Sequence, residues 1–334
     1  MINPRYIAID LTYKCPLNCN FCFIKNKDST NRNEIDIKYL KKLLKKLSGT
    51  KRHFYITGGE PFLKPWLPDF IYLLKKEGHT SLVTTNGLFL DRYLSKGNDI
   101  ILPDEIVVSL HGKENIHDKI CKKRGTFKKV IKSVTNLINS SQKVSVAVWC
   151  TINPYNYKSL YNFYLFISKI SPDKIVFNHL EFISEKDLLA TNILFKNEFG
   201  NKTSLNASES RVDKLDIKKL VSEIKKIKNH RDKKVRFFPD LSDNDIYKWY
   251  NPDITYKRKG FCKGQFDSLW ISPYGDILSC QPLSYRLGRL NLSDPLSSVN
   301  SKKYFKFRKF LIKEGGFFPV CSRCGREPYT GGIK

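Results

Sequence analysis

The chain has 334 residues, and 59 lysine and arginine residues against 32 aspartate and glutamate residues leave a formal net charge of +27. It contains no run of about 18 apolar residues, which excludes an ordinary membrane-spanning helix. The N-terminus has no charged and then apolar region, so we expect no secretory signal and a cytoplasmic protein. The length allows one large domain and one small one.

The positive charge leaves the partner open. A charge of this size attracts polyanions such as nucleic acid, an anionic lipid surface or a phosphorylated substrate. Lysine is abundant along the whole chain, however, so the excess equally fits a biased composition. Nucleic acid is therefore kept as a candidate partner but is not favoured.

Short apolar runs alternate with helical patterns through the first half of the chain. Six strands are predicted at residues 6–11, 53–57, 81–85, 105–110, 143–150 and 174–180. Apolar residues that recur every three or four positions predict helices at 39–47, 66–76, 127–138 and 160–170. This alternation predicts an α/β fold with parallel strands joined by helical crossovers.

Residues 184–234 have a different composition. Serine, asparagine, lysine and glutamate dominate 185–211, where we predict a linker or lid. Apolar residues from Leu215 to Ile227 have helix spacing and predict an amphipathic helix with a basic, solvated face. The predicted organisation is a domain at 1–183, this linker and helix at 184–234, and a small cysteine-bearing domain at 235–334.

The most informative motif is the triplet Cys15, Cys19 and Cys22, spaced C-x3-C-x2-C directly after the first predicted strand. Nine cysteines in clustered spacings already favour metal ligation over disulfides. Three thiolates can hold three irons of a four-iron cluster and leave the fourth iron open. A zinc knuckle is the alternative, but it usually recruits a nearby fourth cysteine or histidine. None is close in the sequence, which favours a reactive centre.

Small and polar residues follow five consecutive predicted strands. After the triplet behind the first strand, the next strand ends carry Gly58-Gly59-Glu60-Pro61, then Asn86, then Ser109, then Asn153. In parallel α/β folds the reactive groups collect at the carboxyl ends of the strands. We therefore expect these residues to face one cavity.

A second group of cysteines lies near the end of the chain, at Cys262, Cys280, Cys321 and Cys324. A β-hairpin predicted around Pro273-Tyr-Gly275 would bring Cys262 and Cys280 towards each other. The C-x2-C pair at 321 and 324 can clamp one edge of a metal centre. Four thiolates complete the coordination of a metal centre and leave no position for a substrate. The sequence does not decide between zinc and a four-iron cluster.

The triplet and the Gly-Gly-Glu-Pro segment together resemble the radical S-adenosylmethionine (SAM) superfamily. The resemblance implies a partial (β/α)6 barrel of the TIM type, with SAM chelated at the open iron of a [4Fe-4S] cluster. It also implies contacts with SAM for a set of residues that match the family's motifs. These are Phe21, Gly58, Gly59, Glu60, Pro61, Asn86, Ser109, Arg124 and Asn153.

The C-terminal cysteines are similar to the auxiliary-cluster domains of that superfamily, called SPASM with two clusters and twitch with one. Where a full SPASM domain would continue with C-x2-C-x5-C, this chain has Thr330 and ends at Lys334. The resemblance therefore implies a small α+β twitch-like domain with a single auxiliary [4Fe-4S] cluster.

In the superfamily, SAM is cleaved reductively to a 5'-deoxyadenosyl radical that removes a hydrogen atom from an unreactive carbon. By resemblance, an electron acceptor beside the substrate gives oxidation, and a thiol hydrogen donor gives epimerisation. Cys121 and Cys150 are the candidate donors, although a free cysteine is more often a small buried hydrophobe. His111, His179 and Glu181 are candidate substrate contacts or proton acceptors.

We expect a small polar substrate, such as a sugar, an aminocyclitol or a nucleoside-linked metabolite. Peptide-modifying relatives often carry a recognition domain before the triplet, and only 14 residues precede Cys15. A ribosomally made peptide is the second candidate. The resemblance also implies an electron donor such as flavodoxin or ferredoxin, and an oxygen-sensitive enzyme that works anaerobically.

A hypothesis of another class is a non-catalytic, zinc-stabilised protein that binds nucleic acid. It would explain the charge and the last four cysteines. It does not explain the cysteine triplet, which lacks a fourth ligand, or the Gly-Gly-Glu-Pro segment. We therefore rank it below the hypothesis of a radical SAM enzyme.

Overall fold

The computed structural model describes residues 2–24, 32–95, 100–140, 143–258 and 260–325. Within these ranges the strands are β1 Tyr6–Asp10, β2 His53–Thr57, β3 Thr80–Thr85, β4 Glu105–Ser109, β5 Ser145–Thr151, β6 Lys174–Asn178, β7 Val235–Phe238, β8 Ser268–Ile271, β9 Asp276–Leu278 and β10 Arg286–Arg289. The helices are α1 Ile37–Lys46, α2 Leu67–Lys76, α3 Leu90–Leu94, α4 Glu114–Cys121, α5 Thr126–Ile138, α6 Leu160–Ile170, α7 Glu185–Phe199, α8 Ile217–Asn229, α9 Asp243–Trp249, α10 Gly264–Asp267, α11 Pro295–Val299 and α12 Lys302–Lys313. Short 3-10 helices lie at Pro61–Leu63, Tyr157–Ser159, Glu209–Arg211 and Pro319–Cys321.

All the described strands form one sheet in the order β10-β9-β8-β1-β2-β3-β4-β5-β6-β7. The pairings from β8 through β1 to β7 are parallel, and β9 and β10 complete an antiparallel hairpin. The predicted α/β class with parallel strands is therefore confirmed, and all six predicted strands are present. The sheet also contains β7, a seventh strand in the parallel series that the sequence pattern did not reveal, because only four residues form it.

The helices pack on the sheet through the apolar stripes that predicted them. In α5, for example, Phe127, Val130, Val134 and Leu137 recur at three and four positions and are all buried. This spacing places them on one face of the helix, against the core. None of the helices in the described part of the chain is long and apolar enough to cross a membrane.

Residues 185–199 form the helix α7 rather than the irregular linker that we predicted. The Ser184 hydroxyl caps the helix by accepting the backbone N–H of Asp187. Its buried residues are Asp187, Thr191 and Phe195, two of which are polar. A helix that buries polar side chains lacks the apolar repeat by which helices are recognised in a sequence, which explains the error. The helix predicted behind it is confirmed as α8.

The predicted C-terminal hairpin is present as β8 and β9, with Gly275 in the left-handed region at φ +77°. This hairpin extends the main sheet, because β8 pairs in parallel with β1. Two side chains strengthen the junction: Gln281 Nε2 donates to Asp10 Oδ1 at 2.6 Å, and Trp270 Nε1 donates to Asp10 Oδ2 at 3.2 Å. The C-terminal cysteine region is thus attached directly to the first strand.

Candidate active site

One face of the sheet lines a cavity of about 580 Å³. Successive side chains of a strand point to opposite faces, so alternate residues of each strand reach the cavity and the others join the helix-facing core. Cys15, Cys19 and Cys22 all line this cavity, as do Phe21 and Ser109. The predicted convergence of the strand ends therefore holds for the triplet and for several of its neighbours.

The cysteine loop is fastened to the Gly-Gly segment by backbone contacts. Gly59 N–H donates to the carbonyl of Thr12 at 2.7 Å, and Glu60 N–H donates to the carbonyl of Lys14 at 3.0 Å. A Cβ atom on Gly59 would lie 2.3 Å from the Lys14 carbonyl oxygen, and one on Gly58 would lie 2.3 Å from that of Thr12. Only glycine allows this approach. The two motifs are therefore one structural unit.

Glu60 does not line the cavity but is fully buried beneath it. Its carboxylate accepts the Thr85 hydroxyl at 2.8 Å and the backbone N–H groups of Phe62 at 3.0 Å and Asn86 at 2.8 Å. Burial raises the pKa of Glu60 to about 7. The carboxylate thus connects the second and third strand ends, and the structure gives it a positioning role rather than the direct contact that we expected.

Asn86 lies next to the first cysteine of the triplet. Its side-chain Nδ2 is 3.6 Å from Cys15 Sγ, and its Oδ1 accepts the backbone N–H of Leu88 at 2.9 Å. The second bond orients the amide, so that its N–H group points to the sulfur. Asn86 is therefore placed in the cavity, as the sequence predicted.

Cys121 is brought from α4 to the middle cysteine of the triplet. The Cys121 thiol is 1% exposed and lines the cavity, where its hydrogen bond with Cys19, together with burial, raises the pKa of Cys19. His117 Nε2 lies 3.6 Å from Cys121 Sγ on the other side. The sequence showed no fourth cysteine near the triplet, and only the tertiary structure supplies one.

Two histidines line the cavity, and the Nδ1 atom of each already takes part in a hydrogen bond within the protein. His111 Nδ1 accepts the backbone N–H of Thr151 at 3.2 Å, and His179 Nδ1 is 3.0 Å from the hydroxyl of Tyr250. That hydroxyl accepts the N–H of Leu180, so its own proton points to His179. Burial lowers the pKa of His179 to about 3 and that of His111 well below its usual value. Both rings are therefore neutral and carry their proton on Nε2, which makes them hydrogen-bond donors rather than the proton acceptors that we considered.

Besides Glu60, four of the residues predicted to contact SAM or the substrate lie away from the cavity. Cys150 is fully buried in the helix-facing core, because it alternates along β5 with the cavity residues Trp149 and Thr151. Asn153 closes the turn after β5 by bonding to Thr151 O and Tyr155 N, and Arg124 is exposed. Pro61 starts a 3-10 helix beside the buried Glu60. The structure thus removes Cys150 as a hydrogen donor that faces the substrate.

Glu181 lies on the cavity wall next to the C-terminal cysteine pair. Its Oε1 accepts the backbone N–H of Gly325 at 2.8 Å, and Gly325 itself lines the cavity directly after Cys324. Arg211 approaches the same corner and donates to the carbonyl of Cys22 at 3.4 Å. Neither Arg211 nor Gly325 belongs to a motif, so neither could be recognised from the sequence.

The four C-terminal cysteines are drawn together from three separate segments. Burial, and then the neighbouring sulfurs of Cys280, Cys324 and Cys262, raise the pKa of Cys321 well above its usual value. The backbone N–H of Leu283 lies 3.4 Å from Cys280 Sγ. Thr330, on which the one-cluster prediction depends, lies outside the described residues.

A buried ion pair holds the last of these segments. Asp187 on α7 accepts Arg323 at 2.8 Å and the Ser322 hydroxyl at 2.8 Å, and both charged side chains are fully buried. Phe195, on the same helix, packs against Phe318 with ring centroids 5.0 Å apart. Helix α7 is therefore the support on which Cys321 and Cys324 rest.

The N-terminal triplet and the four C-terminal cysteines both have the ligand chemistry of iron–sulfur clusters. Thiolates are the ligands of [4Fe-4S] clusters, and both groups consist of cysteine alone. No three histidine, cysteine, aspartate or glutamate side chains of the described residues are arranged around a single metal ion. A four-iron cluster does not require that arrangement, because each thiolate binds a different iron. The raised pKa values of Cys19 and Cys321 mean that metal would have to displace a proton from each thiol.

Comparison with known proteins agrees with the site. Residues 9–167 match the model of the radical SAM superfamily. Crystal structures of Streptococcus suis SuiB, including one bound to S-adenosylmethionine, share the fold. The SAM-bound structure has a TM-score of 0.60 and 16% identity over 91% of this chain and 68% of SuiB. Residues 9–167, slightly under half of the chain, are therefore similar to the radical SAM superfamily, whose members bind SAM and a [4Fe-4S] cluster.

Curated relatives point to different substrates. The chain is 23% identical to Fe-coproporphyrin III synthase of Methanosarcina barkeri over 71% of its length, and 31% identical to GTP 3',8-cyclase of Chlorobaculum tepidum over 40%. It spans 59% of the first relative and 41% of the second. These likenesses support the superfamily and leave the substrate undecided.

Proposed function

We propose that the protein is a radical SAM enzyme that oxidises a small polar metabolite, such as a sugar, an aminocyclitol or a nucleoside-type compound. Cys15, Cys19 and Cys22 hold the SAM-binding cluster in this proposal. Cys262, Cys280, Cys321 and Cys324 hold one auxiliary cluster of the twitch type. The sheet with its outer helices corresponds to the partial barrel of the superfamily.

The observation that carries the oxidation is that the triplet lines the cavity and that the residues directly after Cys280 and Cys324 line it as well. Gln281, which follows Cys280, lines the cavity and donates to Asp10 at the end of β1. Gly325, which follows Cys324, lines it from the opposite wall and donates to Glu181. Because these two residues are chain neighbours of Cys280 and Cys324, an auxiliary cluster on the C-terminal cysteines would lie near the space in which a substrate radical would form. Oxidation is therefore preferred over epimerisation.

When bound, the two clusters and SAM supply a 5'-deoxyadenosyl radical and an electron acceptor. The chain itself supplies positioning and protection from water. Phe21 packs its ring edge-on to that of His111, with ring centroids 4.9 Å apart, and this contact joins the cysteine loop to the chain that follows β4. The Nε2–H groups of His111 and His179 can donate to a substrate oxygen, which fixes its orientation. Glu181 is the carboxylate on the wall that can accept the proton released on oxidation.

The size of the cavity supports a small substrate. About 580 Å³ lies within the range of small-molecule sites, and part of it has to accept SAM. The cavity wall away from the cysteine loop carries the ion pair of Lys174 with Glu105 at 2.9 Å, at the first residues of β6 and β4. Such a wall suits hydroxyl or amino groups, which can hydrogen-bond to both members of the pair.

A peptide substrate is the second candidate. A crystal structure of SuiB, which shares this fold, contains the precursor peptide SuiA. The fold by itself does not define a substrate, since unrelated functions share folds. Peptide modification is therefore ranked below oxidation of a metabolite.

The first experiment is anaerobic reconstitution followed by counts of iron, sulfide and zinc per chain. Two four-iron clusters require about eight irons and eight sulfides. Addition of dithionite and SAM should then yield 5'-deoxyadenosine, and Cys15→Ala should abolish it while Cys150→Ala retains it. Zinc in place of all iron would overturn the radical mechanism and favour the zinc-stabilised protein instead. Zinc together with four irons would keep the radical chemistry and revise the second site.

The oxidation itself is tested with a substrate that raises the rate of 5'-deoxyadenosine formation. Cys321→Ala should still form 5'-deoxyadenosine but lose the oxidised product. Retention of that product would contradict the role of the second cysteine group.

A further inference from the structure

The side-chain amide of Asn86 is held in one orientation by the turn that follows β3. Its Oδ1 atom accepts the backbone N–H of Leu88 at 2.9 Å, across Gly87, whose backbone lies in the left-handed region at φ +79°. A backbone N–H can only donate, so this bond identifies the oxygen end of the amide and leaves Nδ2 at the other end. Nδ2 forms a hydrogen bond with Cys15 Sγ at 3.6 Å. An amide nitrogen can only donate, so the direction of this bond is from Asn86 to the sulfur.

Glu60 holds both partners of this contact. Its carboxylate Oε2 accepts the backbone N–H of Asn86 at 2.8 Å, and its Oε1 accepts the hydroxyl of Thr85 at 2.8 Å. The backbone N–H of Glu60 donates to the carbonyl of Lys14, the residue before Cys15, at 3.0 Å. The amide donor and the sulfur are therefore tied to one fully buried residue, and their contact does not depend on a freely rotating side chain.

A metal-bound cysteine is a thiolate, which accepts hydrogen bonds and cannot donate one. We propose that the side-chain amide of Asn86 donates a hydrogen bond to the cluster ligand Cys15 and thereby raises the reduction potential of the N-terminal cluster. Asn86 acts through Cys15, a role distinct from the SAM contact that the resemblance implies, and is therefore a positioning residue. This inference rests on the proposed function, because it requires a cluster on Cys15, Cys19 and Cys22.

The physical reason is electrostatic. Reduction adds negative charge to the cluster and its sulfur ligands, and hydrogen bonds to the sulfurs stabilise that charge. Asn86 is only 9% exposed, so little solvent competes with its amide, and a hydrogen bond is electrostatically stronger in such a site than in water. The amide is already oriented by its bond to Leu88, so no reorganisation is needed when charge is added. Asn86 therefore makes the cluster easier to reduce.

The test is an anaerobic redox titration of the reconstituted full-length protein, followed by electron paramagnetic resonance. The signal that SAM perturbs identifies the cluster with the open iron and separates it from the second cluster. Asn86→Leu removes the donor without adding charge, and its reduction equilibrium should become about tenfold less favourable, a shift of about 59 mV to more negative potential for one electron. Asn86→Asp keeps the acceptor for Leu88 but places a carboxylate oxygen against the sulfur, so its shift should be larger.

Asn153→Asp is the matched control. Asn153 Oδ1 accepts the backbone N–H of Tyr155 at 3.0 Å in the same kind of turn, and Asn153 does not line the cavity. The same chemical change at this position should cause no shift in the potential.

A second readout separates the hydrogen bond from a displaced turn. The protein is labelled with nitrogen-15 in its asparagine side chains, and pulsed electron paramagnetic resonance measures the coupling of this nitrogen to the reduced cluster. The unchanged protein and Asn153→Asp should both show a coupling that is absent from the two Asn86 variants. A residue that only shapes the turn would give no such coupling.

The outcomes separate this inference from the proposed function. Failure of the unchanged protein to assemble a cluster that responds to SAM would refute the proposed function, and this inference with it. A responsive cluster whose potential is the same in Asn86→Leu would refute the role of Asn86 alone. A shift in Asn86→Asp only would also overturn that role, since it would reflect the added charge. A shift without a nitrogen coupling that depends on Asn86 would do the same, since it would reflect a displaced turn.

Discussion

The two groups of cysteines are assembled in different ways, and the first lines the cavity whereas the second is represented there by its chain neighbours Gln281 and Gly325. The N-terminal three lie within eight consecutive residues of one loop, Cys15 to Cys22. The C-terminal four come from three segments, the last of which is separated from Cys262 by α10, β8, β9, β10, α11 and α12. The first group is local in sequence, and the second exists only in the folded chain.

The difference determines what holds each group in place. The cysteine loop is fixed by backbone contacts with the Gly-Gly segment, so its position follows almost directly from strand pairing of β1 with β2. The C-terminal pair depends on α7, on a buried charge and on aromatic packing. A change in tertiary packing should therefore affect the second group and spare the first.

Asp187→Ala should have the largest effect. It leaves the guanidinium of Arg323 buried without its charged partner, and breaking a buried pair in this way costs about 3–5 kcal/mol. We expect about four rather than about eight irons per chain after reconstitution, with 5'-deoxyadenosine formation retained. Lys225→Ala, which breaks the exposed pair with Asp243, is the control and should change the iron content little. Equal loss of both clusters in Asp187→Ala would show that the two groups are not independent.

Glu60 should make the stability of the N-terminal unit depend on pH. The folded pKa of about 7 lies above the ordinary value of 4.5, so the folded protein binds the proton more tightly than the unfolded chain. The free energy of unfolding should therefore fall as pH rises from 4.5 to 7, by up to about 3 kcal/mol at 1.36 kcal/mol per pKa unit. Urea unfolding of the metal-free protein at both ends of this window measures the change. Glu60→Gln should remove this dependence of stability on pH, whereas Glu77→Gln, at an exposed position, should leave the dependence unaltered.

Gly59→Ala tests the backbone contact between the two N-terminal motifs. The new Cβ would lie 2.3 Å from the Lys14 carbonyl oxygen, so the cysteine loop has to move, at a cost of about 1–3 kcal/mol. We expect weaker SAM binding and partial loss of the N-terminal cluster. Gly288→Ala, where a Cβ meets no atom within 4 Å, is the matched control. Normal SAM binding by Gly59→Ala would mean that the two motifs are not mechanically joined.

Tyr250→Phe should have the smallest effect. The change removes the donor to His179 and leaves the buried N–H of Leu180 without its acceptor, which costs about 1–2 kcal/mol. Chemical denaturation measures this loss, and Tyr247→Phe, on the exposed side of α9, provides the comparison. A stability change no larger than that of the control would contradict the contribution of the Tyr250 hydroxyl bonds to His179 and Leu180.

The periodicity of apolar residues was sufficient to predict most of the sheet, because each of the six predicted strands and its crossover helix has a recognisable local pattern. It failed at α7, whose buried face contains Asp187 and Thr191, and at β7, which is too short to show a pattern. In the site, the triplet and the Gly-Gly segment were recognisable because the chemistry depends on spacing within a few residues. Arg124 and Asn153 matched motifs too, yet the fold directs them away from the cavity.

Contacts between distant residues had no signal in the sequence. Cys121 is 102 positions from Cys19, and Tyr250 is 71 positions from His179. Neither partner can be identified from composition or spacing, since any buried cysteine or tyrosine would look the same. The sequence alone determined the α/β class, the strand ends and the cysteine triplet, because those depend on local periodicity and on the ligand chemistry of thiolates. The tertiary structure decided which thiol faces Cys19, which histidine nitrogen carries the proton and how the last four cysteines meet, because these depend on pairing between segments that only the folded sheet brings into contact.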